Sequence, residues 1–207
     1  DAKNGTMQSA YQIVVGTDSI EVADGTGAIW DTNKEASSAQ LVKYAGQDLK
    51  PFTKYYWSVR VWDQEGVSAV SNVSSFETGM MDPSNWRGAW ISDSRDVNIK
   101  PAPYFRKEFQ TDKKIKSARA YIAAAGLYEL YINGEQLGSR ILDPTYTRFD
   151  RRILYVTYDV TGLLASGSNA IGVLLGNGWY NHQSTAVWFF HEAPWRGRPT
   201  FCLDLRI

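Results

Sequence analysis

The sequence predicts an all-β chain built as two tandem β-sandwiches. Apolar residues recur with period two far more often than with period 3.6. Turn signals such as Asp24-Gly25, Asn133-Gly134, Gly167-Ser168-Asn169 and Asn177-Gly178 separate the apolar runs. The patterning lapses once, after Thr78-Gly79, and resumes near Pro103. At 207 residues the chain is long enough for one large domain or two of ordinary size, each with its own core.

The elements follow in order. Tyr11, Ile13 and Val15 alternate with Gln12 and Val14 as a strand does, and further strands are expected around Ile29 and Leu41. Tyr55, Trp57, Val59 and Val61 share one face of a long run whose other face carries Tyr56, Ser58, Arg60 and Trp62, so both faces of that strand are expected to be at least partly covered. Just before it, Leu49-Lys50-Pro51-Phe52-Thr53-Lys54-Tyr55 has the form of a tyrosine corner, in which the hydroxyl ties back to the backbone a few residues upstream. Later strands are predicted to begin near Tyr104, Ala118, Leu127, Arg152, Ala170 and Thr200, and only Asp159 to Leu164 reads as a helical turn. The boundaries predicted are a sandwich over 1–79, a linker over 80–103 and a second sandwich over 104–207. Trp86 and Trp90 lie in the linker and are expected to bury, because an exposed indole is costly.

Composition narrows the function. Twenty-two basic residues balance twenty-two acidic ones, so no net field holds a nucleic acid or an anionic bilayer. No apolar run approaches the roughly 18 residues that cross a membrane as a helix, and the first residues have no hydrophobic signal core. The single cysteine, Cys202, excludes an intrachain disulfide framework and a multi-thiolate metal site, and is read as core filler. His182 and His191 are the only histidines and lack zinc spacing. A Gly-x-Ser-x-Gly elbow and a phosphate loop are absent from the sequence.

The corner, with Gly66, Ser68, Ser71, Phe76 and Thr78, resembles the last two strands of a fibronectin type III domain. Only about three strand candidates precede it where such a sandwich has about seven strands in all. The first strands are therefore expected to be missing, leaving a core face that another segment would cover. The second half, read as a jelly roll, is expected to be incomplete at its C-terminal end, and the chain to be part of a longer polypeptide.

Trp30-Asp31, Tyr56 to Asp63 and Phe76-Glu77-Thr78-Gly79 resemble the opening module of bacterial α-L-rhamnosidases of glycoside hydrolase family 78. Tyr128 to Gly134, Leu142 to Thr147, Tyr158 to Leu164 and Gly172 to Tyr180 resemble the module that follows it. The resemblance implies a periplasmic or extracellular bacterial enzyme that releases terminal L-rhamnose with inversion. Its two carboxylates would lie on an (α/α) barrel outside this sequence, so no catalytic residue is assigned here. It also implies a carbohydrate-recognition role for the second module, in some family members calcium-dependent, with L-rhamnose-containing glycans and the remaining domains of the enzyme as partners. The alternative is a module that only packs against the catalytic domain.

A sugar site needs an aromatic face against the ring and planar polar groups for its hydroxyls. Asn177, Trp179, Tyr180 and Asn181 offer that mixture in one loop; the alternative is that Trp179 and Tyr180 plug the sandwich end while Asn177-Gly178 makes a tight turn. Many relatives carry Asp where Asn177 stands, which weakens a cation site there. Asn133 is a further candidate that also reads as a hairpin turn with Gly134. Asp143 before Pro144 could ligate calcium or a sugar hydroxyl, or start a turn. Tyr146, in a loop with Arg148, Asp150, Arg151 and Arg152, could line the same end, or the loop could be a solvated salt-bridge segment. The aromatic stretch Trp188-Phe189-Phe190, with Trp195 beyond it, is expected to meet a neighbouring domain or a glycan. Self-sufficient hydrolysis would need two facing acids, and the carboxylates are scattered.

Overall fold

The computed structural model describes residues 5–112, 114–185 and 188–207. The chain divides into two compact units, Asp1–Asn85 and Trp86–Ile207. It is all-β, as the periodicity requires, apart from one short helix and three 3₁₀ turns among the described residues.

The first unit contains β1 (Gln8–Gly16), α1 (Ser19–Ala23), β2 (Trp30–Asp31), β3 (Lys54–Asp63), β4 (Ser68–Val70) and β5 (Ser74–Glu77). They form one antiparallel sheet in the order β2-β1-β3-β4, with β5 also on β3. The register sets Val15 opposite Trp57, Ile13 opposite Val59 and Tyr11 opposite Val61, so the apolar set on β3 continues across β1. Phe76 of β5 extends the same face, its ring stacked 5.4 Å from that of Tyr55. On the opposite face, α1 packs through the fully buried Val22, whose carbonyl accepts from Ser58 Oγ at 3.1 Å. The predicted corner forms: the Lys50 N–H donates to the Tyr55 hydroxyl at 2.8 Å, and Tyr55 is 1% exposed.

Two expectations fail in this unit. Leu41 lies in no strand and is 93% exposed. Alternation alone does not make a strand, which also needs a partner for its backbone ladder, and residues 40–45 pair with no strand among the described residues. The helix α1 escaped the periodicity reading because its 5 residues are too few to show a 3.6 period. It is nucleated instead by Asp18, whose carboxylate accepts from the Ile20 and Glu21 N–H groups at 2.7 and 3.4 Å.

The second unit contains β6 (Tyr104–Thr111), β7 (Arg119–Ala125), β8 (Leu127–Ile132), β9 (Glu135–Gln136), β10 (Tyr155–Asp159), β11 (Gly167–Gly176) and β12 (Thr200–Arg206). One sheet has the order β10-β7-β12 and the other β6-β11-β8-β9. Ile122, Leu130, Ile132, Val173, Leu175 and Phe201 meet in a single core. The helical turn expected over Asp159–Leu164 is a 3₁₀ turn at Thr161–Leu163, started by Asp159 Oδ1 accepting from the Thr161 N–H at 3.0 Å. Cys202 is buried as expected, and burial pushes its thiol up to about 11.

From Trp86 onward, the stretch expected as a linker folds with the second unit. The Arg87 and Gly88 N–H groups donate to the buried Asp204 carboxylate at 3.0 and 2.6 Å. Ile91 pairs with Phe201 of β12. Trp86 meets Tyr155 edge-on at 5.9 Å, whereas Trp90, expected to be buried, is 50% exposed. The backbone of this strap, more than its indoles, provides the anchoring.

Candidate functional site

At the Gly126–Leu127 end of the second unit, two loops enclose an open pocket of ≈ 520 Å³ lined by Leu142, Tyr146, Phe149, Trp179 and His182. The first loop follows β9 and the second follows β11. Trp179 and Tyr146 are 41% and 42% exposed. His182 stacks on Trp179 with ring centroids 5.4 Å apart and planes 13° from parallel. Phe149 meets Tyr146, Tyr180 and Trp195 edge-on at 5.6, 5.1 and 5.3 Å. Tyr180 stacks on Trp195, and burial raises its phenol above the ordinary value. The inner rings thus fix the frame, while Tyr146 and Trp179 present their surfaces to the opening. Trp188 and Phe189 are exposed beside it, with Trp188 6.1 Å from Trp179. No lining residue is a carboxylate, and none carries a fixed positive charge.

The planar amides expected to meet a sugar are used otherwise. Asn177 Nδ2 donates to the Lys100 carbonyl at 2.7 Å, and its Oδ1 accepts from Asn181 Nδ2 at 2.9 Å. Asn181 is fully buried; its Nδ2 also donates to the Val97 carbonyl, and its Oδ1 accepts from Arg196 Nε at 3.1 Å. Both side chains therefore clamp the loop to the strap over 97–100. Asn133 lies at the far end of β8 from the pocket. Asn133 and Gly134 have φ of 51° and 89°, which suits the hairpin turn that their sequence also suggested. The Asn133 side chain donates to the Leu163 carbonyl and to Asn169 Oδ1, and accepts from the Ala170 N–H.

Asp143 is 4% exposed and precedes Pro144 through a cis peptide bond. Its carboxylate accepts from the Tyr158 hydroxyl at 3.3 Å, and that hydroxyl lies 2.9 Å from the hydroxyl of Tyr128. Burial is the main reason that both phenols are raised above their ordinary value. Calcium takes six to eight oxygen ligands, usually with several carboxylates. Among the described residues no group of three or more His, Cys, Asp or Glu side chains gathers to hold a metal. The residues around Asp143 therefore do not fit a protein-built calcium cage.

Of the seven sequence-selected residues, Tyr146 and Trp179 line the pocket, Tyr180 buttresses it, and Asn133, Asp143, Asn177 and Asn181 serve the fold. The sequence reading missed Phe149, the ring at the centre of the buttress. Its signal was an aromatic residue inside the charged run Arg148-Phe149-Asp150-Arg151-Arg152. In that run Arg148 and Asp150 form a two-point ion pair at 2.8 and 3.0 Å, in keeping with a salt-bridge loop.

Family models match on both units: residues 113–207 match the α-L-rhamnosidase N-terminal domain, and residues 1–82 match the Rha78A-like N-terminal immunoglobulin domain. The chain belongs to the N-terminal region of the α-L-rhamnosidase family. An α-L-rhamnosidase of Formosa agariphila is 38% identical over 204 residues, covering 86% of this chain and 21% of that protein. The chain spans about a fifth of the length of the curated rhamnosidases it matches. Among solved structures, the α-L-rhamnosidase of Dictyoglumus thermophilum superposes with a TM-score of 0.85 at 39% identity, over 98% of this chain and 24% of that one. The Streptomyces avermitilis α-L-rhamnosidase, solved with L-rhamnose, has a TM-score of 0.84 at 22% identity, over 99% of this chain and 36% of that one, which establishes the shared fold. The family's immunoglobulin-type first module and the fibronectin-like resemblance agree at the level of the β-sandwich class.

Proposed function

We propose that the second unit recognises the terminal L-rhamnose of neutral glycans at the pocket between Tyr146 and Trp179, and does so for an extracellular or periplasmic α-L-rhamnosidase. The observation that carries this reading is the pair of half-exposed rings at an opening without charged lining. Such rings receive the apolar face of an uncharged sugar. With the catalytic barrel on the same polypeptide, binding raises the local substrate concentration, and the module also braces that barrel. Because Asn177, Asn181 and Asp143 are engaged internally, hydroxyl recognition falls to the Tyr146 hydroxyl, the His182 imidazole and loop backbone, and calcium is not required.

The engagement of those same side chains favours a second reading, a module that has kept only the packing role. Calorimetric titration of the whole chain with L-rhamnose, in calcium and in chelator, separates the two. Saturable heat in both buffers, abolished by Trp179→Ala, supports recognition. Absence of heat in both buffers supports packing alone. Heat that appears only with calcium would contradict the metal-free arrangement.

A further inference from the structure

A second surface of the same unit, made of residues other than those lining the pocket, has an unusual relief. On the outer face of the four-stranded sheet, the register places Tyr104, Leu174 and Glu129 in one row across β6, β11 and β8. Arg106, Gly172 and Tyr131 form the next row, and Glu108 and Ala170 begin the third. The central strand is thus low at Ala170 and Gly172, and long side chains stand on both flanks. The flanking strands are about 10 Å apart and Tyr104 to Glu108 spans about 13 Å, so the trough has the dimensions of a short oligosaccharide. Tyr104 is 80% exposed. The flanking polar groups are held in pairs: Arg106 with Glu108 at 2.6 Å, and the Tyr131 hydroxyl donating to Glu129 at 2.5 Å.

Gly172 is the decisive feature. Glycine weakens a strand interior and is found there mainly where a bulge, a bend or a close approach requires it. Gly172 lies within the continuous ladders of β11 with both neighbours, and its φ is outside the left-handed region. A Cβ added to it would meet only Tyr131 Cβ at 3.7 Å and the Phe105 carbonyl at 3.8 Å, which are ordinary contacts. The fold therefore does not need glycine at this position. What the missing side chain provides is an open trough floor.

We infer that this trough binds a neutral glycan chain, with Tyr104 and Tyr131 offering ring surfaces and Arg106, Glu108 and Glu129 meeting hydroxyls. One guanidinium against two carboxylates disfavours an anionic chain, and an exposed ring beside paired polar groups suits the apolar face and hydroxyls of a neutral sugar. The test is affinity electrophoresis of the whole chain in native gels containing β-glucan, arabinoxylan or galactan, with polygalacturonate as the charged control. Retardation is expected in at least one neutral gel, about tenfold weaker for Tyr104→Ala, lost in Gly172→Val, and unchanged in Trp179→Ala. Valine is a good strand residue, and a melting temperature no lower than that of the parent would show that Gly172→Val blocks the trough without unfolding it. If Gly172→Val fails to fold, the exposed Tyr104→Ala decides. The inference is overturned by no retardation in any neutral gel, by retardation undiminished in Tyr104→Ala, by equal retardation in polygalacturonate, or by loss in Trp179→Ala alone, which would assign the binding to the pocket.

Discussion

Arg198 grips Asp93 across 105 residues of sequence: its Nε and Nη2 donate to the two carboxylate oxygens at 2.8 and 2.7 Å. The same guanidinium donates to the carbonyls of Ile99 and Pro101. One side chain thereby anchors the strap that the loop of Asn177 and Asn181 also holds.

Asp93→Asn is expected to destabilise the second unit by about 2–3 kcal/mol, because it leaves a nearly buried guanidinium without its counter-ion. The hydrogen bonds from Arg198 hold the Asp93 carboxyl below the usual carboxylate range. A depressed value means that the contribution is fully present above the unfolded carboxyl's ~3.9 and is lost as pH falls through the folded value. Urea unfolding should show a stability gap between parent and variant that is constant above the ordinary carboxylate range and closes as pH falls below it.

The Tyr158 hydroxyl bridges the Tyr128 hydroxyl and the Asp143 carboxylate. Tyr158→Phe should cost about 1–3 kcal/mol, more than Tyr128→Phe, because it strips a donor from a buried carboxylate as well as a partner from a phenol. Burial raises both phenols, so their contribution is intact below the unfolded phenol's value of ~10 and is lost as pH rises toward the folded values. Absorbance titration at alkaline pH should find these two tyrosines ionising only as the chain unfolds. Their ionisation together with the exposed tyrosines, in folded protein, would refute this.

Tyr55→Phe should destabilise the first unit by about 1 kcal/mol, the value of one neutral hydrogen bond. It deletes the acceptor for the Lys50 N–H while keeping the ring stacked on Phe76. A urea midpoint unchanged from the parent would mean that the corner contributes nothing.

Asn181→Ala separates fold from recognition. The side chain is fully buried and bonds Val97, Asn177 and Arg196, so its removal should cost about 2–3 kcal/mol in thermal or urea unfolding. Titration with L-rhamnose well below the melting temperature should give the parent's affinity. A weakened affinity at unchanged stability would return Asn181 to the binding site.

Much of the fold was legible because strand periodicity reports burial locally. The β3 face from Tyr55 to Val61, the corner at Lys50 and the starts of β6, β8 and β12 all follow from residues close in sequence. The candidate site was half legible. Trp179 and Tyr146 are large rings beside turn signals and so stood out as candidates, but the sequence suited a buried plug of the sandwich end as well as an open ring, and only the structure shows them half exposed. The roles of Asn177 and Asn181 could not, because an amide beside an aromatic residue suits a ligand and a loop clamp equally until the acceptors at Val97 and Lys100 are placed.

The sequence by itself determined the all-β class, the main strands of the second unit and the family, since alternation, turn chemistry and ordered motifs are properties of neighbouring residues. Tertiary structure alone decided that Leu41 stays unpaired, that the strap from Trp86 joins the second unit, and that Gly172 lies between Arg106 and Tyr131. Each of these depends on which distant backbone or side chain arrives alongside. Hydrogen bonds and close packing act over a few ångströms of space regardless of separation along the chain.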